Sequence, residues 1–205
     1  DLDKSTCEVL LGQCGIADAI QRADNSKLDV LPANSDLTAA EVGLANRPQR
    51  ERQLSNALKQ VEHRYDYILI DCPPSLNMLT LNAMVAANGV LVPLQTEYYA
   101  LEGLSSLVET IEQIRSSVNP GLKIEGLLRT MHDSRNRLGS EFSAQLLSHF
   151  GDKVYRTVIP RNVRVAEAPS HGLPILQYDR LSRGAAAYSV LANEVLRRDG
   201  KISAV

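Results

Sequence analysis

Arg64-Tyr65-Asp66-Tyr67-Ile68-Leu69-Ile70-Asp71-Cys72-Pro73-Pro74-Ser75-Leu76 is the stretch whose reading decides the fold. Residues 67–70 form a short continuous apolar run, too short for a buried helix and built of side chains that suit a pleated surface. They are predicted as a central parallel strand. Asp71 then stands at the carboxyl end of that strand. Ligands of open α/β sheets bind outside this edge, so a carboxylate there faces a ligand and not the core. Mg²⁺ is the natural partner, because this hard cation keeps several waters and is held through one or two carboxylates together with substrate phosphates. Pro73 and Pro74 remove two backbone donors and fix φ, so a stiff loop follows the carboxylate. The plainer alternative is that Asp71 caps a helix starting near Leu76.

On the amino-terminal side, residues 6–11 and 16–21 read as short helices separated by Gly12 and Gly15, and residues 28–31 as a strand stopped by Pro32. Ser35 or Asp36 caps a helix to about residue 46. A second helix after Pro48 runs to about residue 63, with Leu54, Leu58 and Val61 on one face. Arg47, Arg50 and Arg52 fit a solvated helical surface better than a phosphate patch. On the carboxyl side, helix 79–87 precedes a buried strand over residues 89–94. The long helix 101–118 carries Leu104, Leu107, Val108, Ile111 and Ile114 at helical spacing. A strand over residues 122–128 presents Thr130 and Met131 at its end, where an apolar side chain suits a flat base; the bland reading of Met131 is a core gap filler. Phe142, Leu146, Leu147 and Phe150 mark the next helix, residues 154–159 the last strand, and residues 181–196 the closing helix. This alternation predicts an α/β fold, a mostly parallel sheet with helices on both faces.

The 205 residues suit a single domain spanning 1–205, and 44% hydrophobic content is ample for its core. Cys7, Cys14 and Cys72 have no metal-ligand or disulfide-rich spacing and fit free thiols in a reducing cytoplasm. No apolar run approaches the length that spans a bilayer. The net charge of −2 hides an asymmetry: residues 1–121 carry −7 and residues 122–205 carry +5. A basic carboxyl-terminal face is what backbone contact with DNA requires. Serine-hydrolase and zinc chemistry have no support, for there is no G-x-S-x-G elbow, H-E-x-x-H pair or CxxC. His171 is therefore read as structural.

Residues 65–76 resemble the Walker B segment of the ParA/Soj partitioning ATPases, a branch of the deviant Walker A group that also contains MinD. Further stretches agree in order along the chain: Gln95-Thr96-Glu97-Tyr98-Tyr99-Ala100-Leu101-Glu102-Gly103-Leu104, Thr130-Met131-His132-Asp133-Ser134-Arg135, Thr157-Val158-Ile159-Pro160-Arg161-Asn162-Val163-Arg164 and Glu167-Ala168-Pro169-Ser170-His171-Gly172. The resemblance implies a P-loop NTPase-like fold and a weak ATPase that works as a switch. ATP and Mg²⁺ would join two copies into a homodimer that binds DNA without sequence preference, and a ParB/Spo0J-type protein would stimulate hydrolysis. The implied location is cytoplasmic and nucleoid-associated. Asp71 would orient a Mg²⁺-bound water, and Pro73 and Pro74 would form the switch loop. Glu97 would lie near the ribose, and Thr130, Met131, Pro160, Arg161 and Asn162 would receive the base. Arg135 and Arg164 match arginines used on DNA in the Soj branch, with Arg183, Arg197, Arg198 and Lys201 extending that face; the plainer alternative is that Arg135 or Arg164 pairs with a nearby acid such as Asp133 or Glu167 as an ordinary surface ion pair. The sequence departs from the family pattern beside both: Asn136-Arg137 stands where Thr-Asn is usual, and Asp179-Arg180-Leu181-Ser182-Arg183 replaces Asp-Pro-Arg-Ser-Arg.

No G-x-x-x-x-G-K-[ST] stretch occurs in the sequence. The resemblance implies that the phosphate loop precedes Asp1 and that the chain begins roughly fifty residues inside the parent domain, a length compatible with a lost βαβ-type unit. The intact protein is then expected to hydrolyse ATP and the 205-residue chain is not. Two alternatives remain. A MinD-like ATPase on a membrane surface would need a basic amphipathic tail, and residues 197–205 carry a glycine and one large apolar residue. A non-enzymatic truncated paralogue would serve as a dimerisation or partner-binding module.

Overall fold

The computed structural model describes residues 4–23, 26–95, 100–133 and 135–202. The chain divides into two units, one comprising Asp1–Asn88 with Glu112–Leu122 and the other Gly89–Ile111 with Lys123–Val205.

The first unit is helical. α1 (Thr6–Leu10) opens on a capping box: the Ser5 side chain accepts from the Cys7 amide while Glu8 reaches back to the Ser5 amide at 2.8 Å. α2 (Ile16–Ala19) follows, and β1 (Gln21–Arg22) pairs antiparallel with β2 (Asp29–Val30). α3 (Leu37–Leu44), α4 (Gln53–Leu58) and α5 (Met78–Ala86) complete the unit. The helix expected after Pro48 is broken into α4 and flanking 3₁₀ turns, with Gln49 in the left-handed region at φ 52°. Cys7, Leu10, Ala40, Leu44, Leu54 and Ala83 form one core cluster; Val9, Ile16, Ala19, Ala57 and Val61 form another. Between the helices, fully buried Asn82 accepts from the Leu54 amide (3.2 Å) and donates to the Arg50 and Met78 carbonyls (both 2.9 Å). Asn119 donates to the Met84 and Ala87 carbonyls at 2.8 and 2.9 Å and so closes the carboxyl end of α5.

The predicted strand over residues 67–70 is not observed: residues 67–73 have no regular secondary structure, and Leu69 is 91% exposed. The apolar pattern was read correctly as unsuited to a helix, but a strand exists only through ladder hydrogen bonds to a neighbour, and no ladder includes this run among the described residues.

The second unit holds β3 (Gly89–Gln95), α6 (Ala100–Ser117, which the unit includes as far as Ile111), β4 (Lys123–His132), α7 (Arg137–Phe150), β5 (Val154–Pro160), α8 (Val163–Glu167), α9 (Ile175–Tyr178) and α10 (Arg183–Arg198). The three strands form a parallel sheet in the order β3-β4-β5. Side chains alternate across it. Val92, Leu94, Leu127 and Val154 pack with Leu104 of α6 and with Phe142 and Leu146 of α7. Leu128, Tyr155 and Ile159 point the other way, toward Ala187, Leu191 and Val195 of α10. Helices therefore cover both faces, as the alternation predicts. β4 runs four residues beyond the expected strand, so Thr130 and Met131 belong to its last turn of ladder.

Among the described residues no helix is long and apolar enough to cross a membrane.

Candidate functional site

Parallel pairing brings the carboxyl ends of β4 and β5 side by side. His132 stands opposite Pro160, and the Arg161 amide donates to the His132 carbonyl at 3.0 Å. Thr130, opposite Gln95 of β3, donates its hydroxyl to the Leu94 carbonyl at 3.3 Å. Thr130, Met131, Pro160, Arg161 and Asn162 are thus gathered in one corner. Met131 has φ 52°, an uncommon conformation for a residue other than glycine, and its side chain is half exposed. Such backbone strain, on the order of 1–3 kcal/mol, persists where the surroundings impose it. Asn162 caps α8, its carboxamide oxygen accepting from the Val165 amide at 3.2 Å. Glycine at 184 lets α10 lie against Val165 and Asn162, where a Cβ would collide. A base would meet an apolar side chain, backbone groups and a rigid capped turn here, which is a donor set that fits a nucleotide.

Asp133 leaves β4 directly into a turn closed by Arg135. The Arg135 amide and Nε each donate to Asp133 Oδ1 at 3.0 Å, and Nη2 donates to Oδ2 at 2.7 Å, while the Arg135 side chain stays 89% exposed. These bonds hold the Asp133 carboxyl far below the usual carboxylate range; the charges of Arg135 and Arg161 act in the same direction. Arg164 is held similarly, with Nη1 on Glu167 Oε2 at 2.9 Å and Nε at 3.5 Å from Asp179. Glu167, lowered chiefly by Arg164, also accepts from the Tyr178 hydroxyl at 3.2 Å. His171 stacks on the Tyr178 ring at 4.8 Å, a packing role that agrees with its structural reading.

The remaining basic candidates do not form one cluster. Arg183 opens α10 after the Ser182 cap, whereas Arg197, Arg198 and Lys201 lie at its far end, roughly 20 Å away at about 1.5 Å per residue. Arg198 turns inward: its guanidinium sits 4.0 Å from the Tyr155 ring centroid and donates to the Val154 carbonyl at 2.9 Å and to Glu194 at 3.0 Å. That inward network, completed by Thr157, was not foreseen; its only sequence signal is the i,i+4 spacing of Glu194 and Arg198. Glu97 lies outside the described residues.

In the first unit, Asp71 is exposed within the irregular segment, and Pro73 and Pro74 follow it. The capping alternative fails, because α5 begins at Met78 and is capped by Asn77, whose side chain accepts from the Thr80 amide at 3.0 Å. The Thr80 hydroxyl donates to the Ser75 carbonyl at 2.7 Å and ties the loop to the helix. No group of three metal-ligating side chains occurs among the described residues. One solvent-facing carboxylate fits a cation held through water and completed by phosphates. The neighbouring Cys72 thiol is pushed up by burial, and further by the Asp71 charge.

Residues 1–124 match the family described as an AAA domain. An uncharacterized protein of Pseudomonas putida is 56% identical over 99% of this chain and 77% of its own length. The chromosome partitioning protein ParA of Caulobacter vibrioides is 50% identical over 94% of this chain and 73% of its own. The sporulation initiation inhibitor protein Soj of Bacillus subtilis is 48% identical over 95% and 77%. Among solved structures, a cobyrinic acid a,c-diamide synthase from Mycobacterium smegmatis with bound ADP and magnesium superposes with a TM-score of 0.81 at 36% identity, covering 96% of this chain and 73% of that one. The cell division ATPase MinD of Pyrococcus furiosus superposes with a TM-score of 0.77 at 25% identity, covering 96% and 77%.

Proposed function

The chain belongs to the ParA/Soj family of chromosome-partitioning ATPases, and from that premise we propose that it is the larger part of a nucleotide switch for DNA segregation. In this reading the residues form part of one nucleotide-binding domain. The intact protein binds ATP with Mg²⁺, pairs with a second copy, holds DNA through phosphates, and releases it when a ParB-type partner stimulates hydrolysis. It works on the nucleoid.

The observation that carries the reading is the convergence of Thr130, Met131, Pro160, Arg161 and Asn162 at the joined ends of β4 and β5. That corner receives the base, with Met131 against its face and the Asn162 turn at its edge. Bound Mg²⁺ would neutralise charge on the phosphates during transfer, which is mostly a matter of positioning and electrostatics. Asp71 would hold a water of the cation's shell, and Pro73 and Pro74 would limit the motion of the loop that follows. Arg135, beyond β4, and Arg164, in α8 beyond β5, supply DNA contacts. Arg183 adds to them at the start of α10, and Arg197 and Lys201 at its end contribute less. Arg198 contributes least because its guanidinium is engaged internally.

The test is turnover and DNA affinity of the full-length protein. Asp71→Ala should abolish ATP hydrolysis while leaving the unfolding midpoint unchanged, since an exposed carboxylate adds little to packing. Arg135→Ala and Arg164→Ala should each weaken DNA binding alike on any sequence and reduce the salt slope by about one unit. Normal turnover in the first variant, or unchanged affinity in both of the others, contradicts the assignment.

A further inference from the structure

One two-point edge of the Arg135 guanidinium, the side formed by Nε and Nη2, is already occupied. Nε and Nη2 form the parallel two-point contact that suits carboxylates and phosphates equally, and both are spent on Asp133, at 3.0 and 2.7 Å. One edge cannot serve two oxyanions. The pair is also solvent-exposed, so exchanging its carboxylate for a phosphate costs little. Asp133 is anchored in turn by the strand ends: it directly follows His132, whose carbonyl accepts from the Arg161 amide at 3.0 Å. The Arg135 amide also donates to Asp133 Oδ1 at 3.0 Å, so the carboxylate keeps one bond when the arginine side chain leaves it.

We propose that Asp133 is a built-in competitor for the phosphate-binding edge of Arg135, and that DNA binds this loop by displacing it. The proposal rests on the reading of Arg135 as a DNA contact. Asp133 keeps the affinity of the resting protein low, and it recaptures the arginine on release.

Asp133→Asn separates the two roles of this side chain. The amide oxygen still accepts from the Arg135 backbone and preserves the turn, whereas the charge that competes with phosphate is gone. Binding of the full-length ATP-bound protein to a fluorescent mixed-sequence duplex would be followed across a range of salt for Asp133→Asn, Arg135→Ala and the double variant, with unfolding midpoints as a check on folding. The expected result is about threefold tighter binding for Asp133→Asn, in line with the small worth of an exposed pair. Its salt slope should steepen, and the substitution should have no effect once Arg135 is alanine. Unchanged or weaker binding by Asp133→Asn, alongside a weakened Arg135→Ala, overturns the competition and leaves Arg135 as a DNA contact. An equal gain with and without Arg135 also overturns it, since the effect would then be one of general charge. An unaffected Arg135→Ala removes the underlying DNA reading itself.

Discussion

Thr157 gives both its amide and its hydroxyl to the Glu194 carboxylate, at 2.8 and 2.6 Å, across thirty-seven residues of chain. The Arg156 amide joins them at 2.8 Å. These donors sit where the β4–β5 ladder is irregular: Leu127 faces Val154 and Arg129 faces Val158, so three residues of β5 stand against one of β4. A side chain of α10 thus satisfies backbone groups of the irregular strand. Burial works to raise the pKa of Glu194. The Thr157 hydroxyl, the two amides and Arg198 outweigh it and hold the carboxyl below its ordinary value. Glu194→Gln should cost about 2 kcal/mol at neutral pH, as for hydrogen bonds to a charged group. Because the folded pKa is depressed, this contribution is fully present above the unfolded value of about 4.3 and fades as pH falls through the folded one. Urea unfolding of the two proteins should therefore differ most near neutrality and converge in acid below that value.

Asn82 offers a second test. Its carboxamide is the hub between α4 and α5, and alanine there leaves the Leu54 amide without its acceptor in a fully buried setting. A loss of about 1–3 kcal/mol is expected. Denaturant midpoints measure it, and a change under half a unit would show that water takes the vacated place.

Alanine at position 184 places a methyl group into Val165 and within 3.3 Å of the Asn162 carboxamide. Overpacking there should cost about 1–3 kcal/mol. It should also weaken nucleotide binding by the full-length protein, since the Asn162 turn is displaced. Gly103→Ala is the control: its Cβ meets nothing within 4 Å on α6. That substitution should stabilise by up to about 1 kcal/mol through helix propensity. Opposite signs in thermal unfolding are the expected outcome.

Met131 tests the strain at the base corner. Met131→Val should cost about 1–2 kcal/mol despite the exposed side chain, because a β-branched residue tolerates positive φ poorly. Met131→Asn should fold almost normally, and it should bind nucleotide less well because a polar side chain replaces the apolar contact. Unfolding midpoints of the two variants, together with nucleotide titration, separate the backbone effect from the side-chain effect.

The second unit was legible because periodicity there has a local cause. Val92 and Leu94 alternate, Leu104, Leu107 and Val108 recur at helical spacing, and each pattern finds its partner in the same sheet and helices. Residues 67–70 were misread because the identity of a strand lies in its neighbours, which no local pattern contains. Thr130 and Met131 could be placed at a strand end from pattern alone, whereas Pro160, Arg161 and Asn162 were joined to them only by the family resemblance, and the left-handed turn at Met131 has no sequence mark. The arginines are identifiable as basic, and the plainer expectation that Arg135 or Arg164 pairs with Asp133 or Glu167 is met at both positions. Their partners Asp133 and Glu167 stand two and three residues away, and whether such neighbours pair depends on a turn geometry that spacing does not fix.

The covering of β5 by side chains also determines how this sheet meets other polypeptides. Along residues 154–157 side chains take backbone groups: Arg198 takes the Val154 carbonyl, Arg129 takes that of Tyr155 at 3.1 Å, and Glu194 takes the amides of Arg156 and Thr157. Backbone groups held by side chains cannot template an arriving strand, so this border is less open to the edge-to-edge association that leads to swapping and fibrils. Growth of the sheet, by any further segment or by another molecule, is directed to the opposite border along Gly89–Gln95.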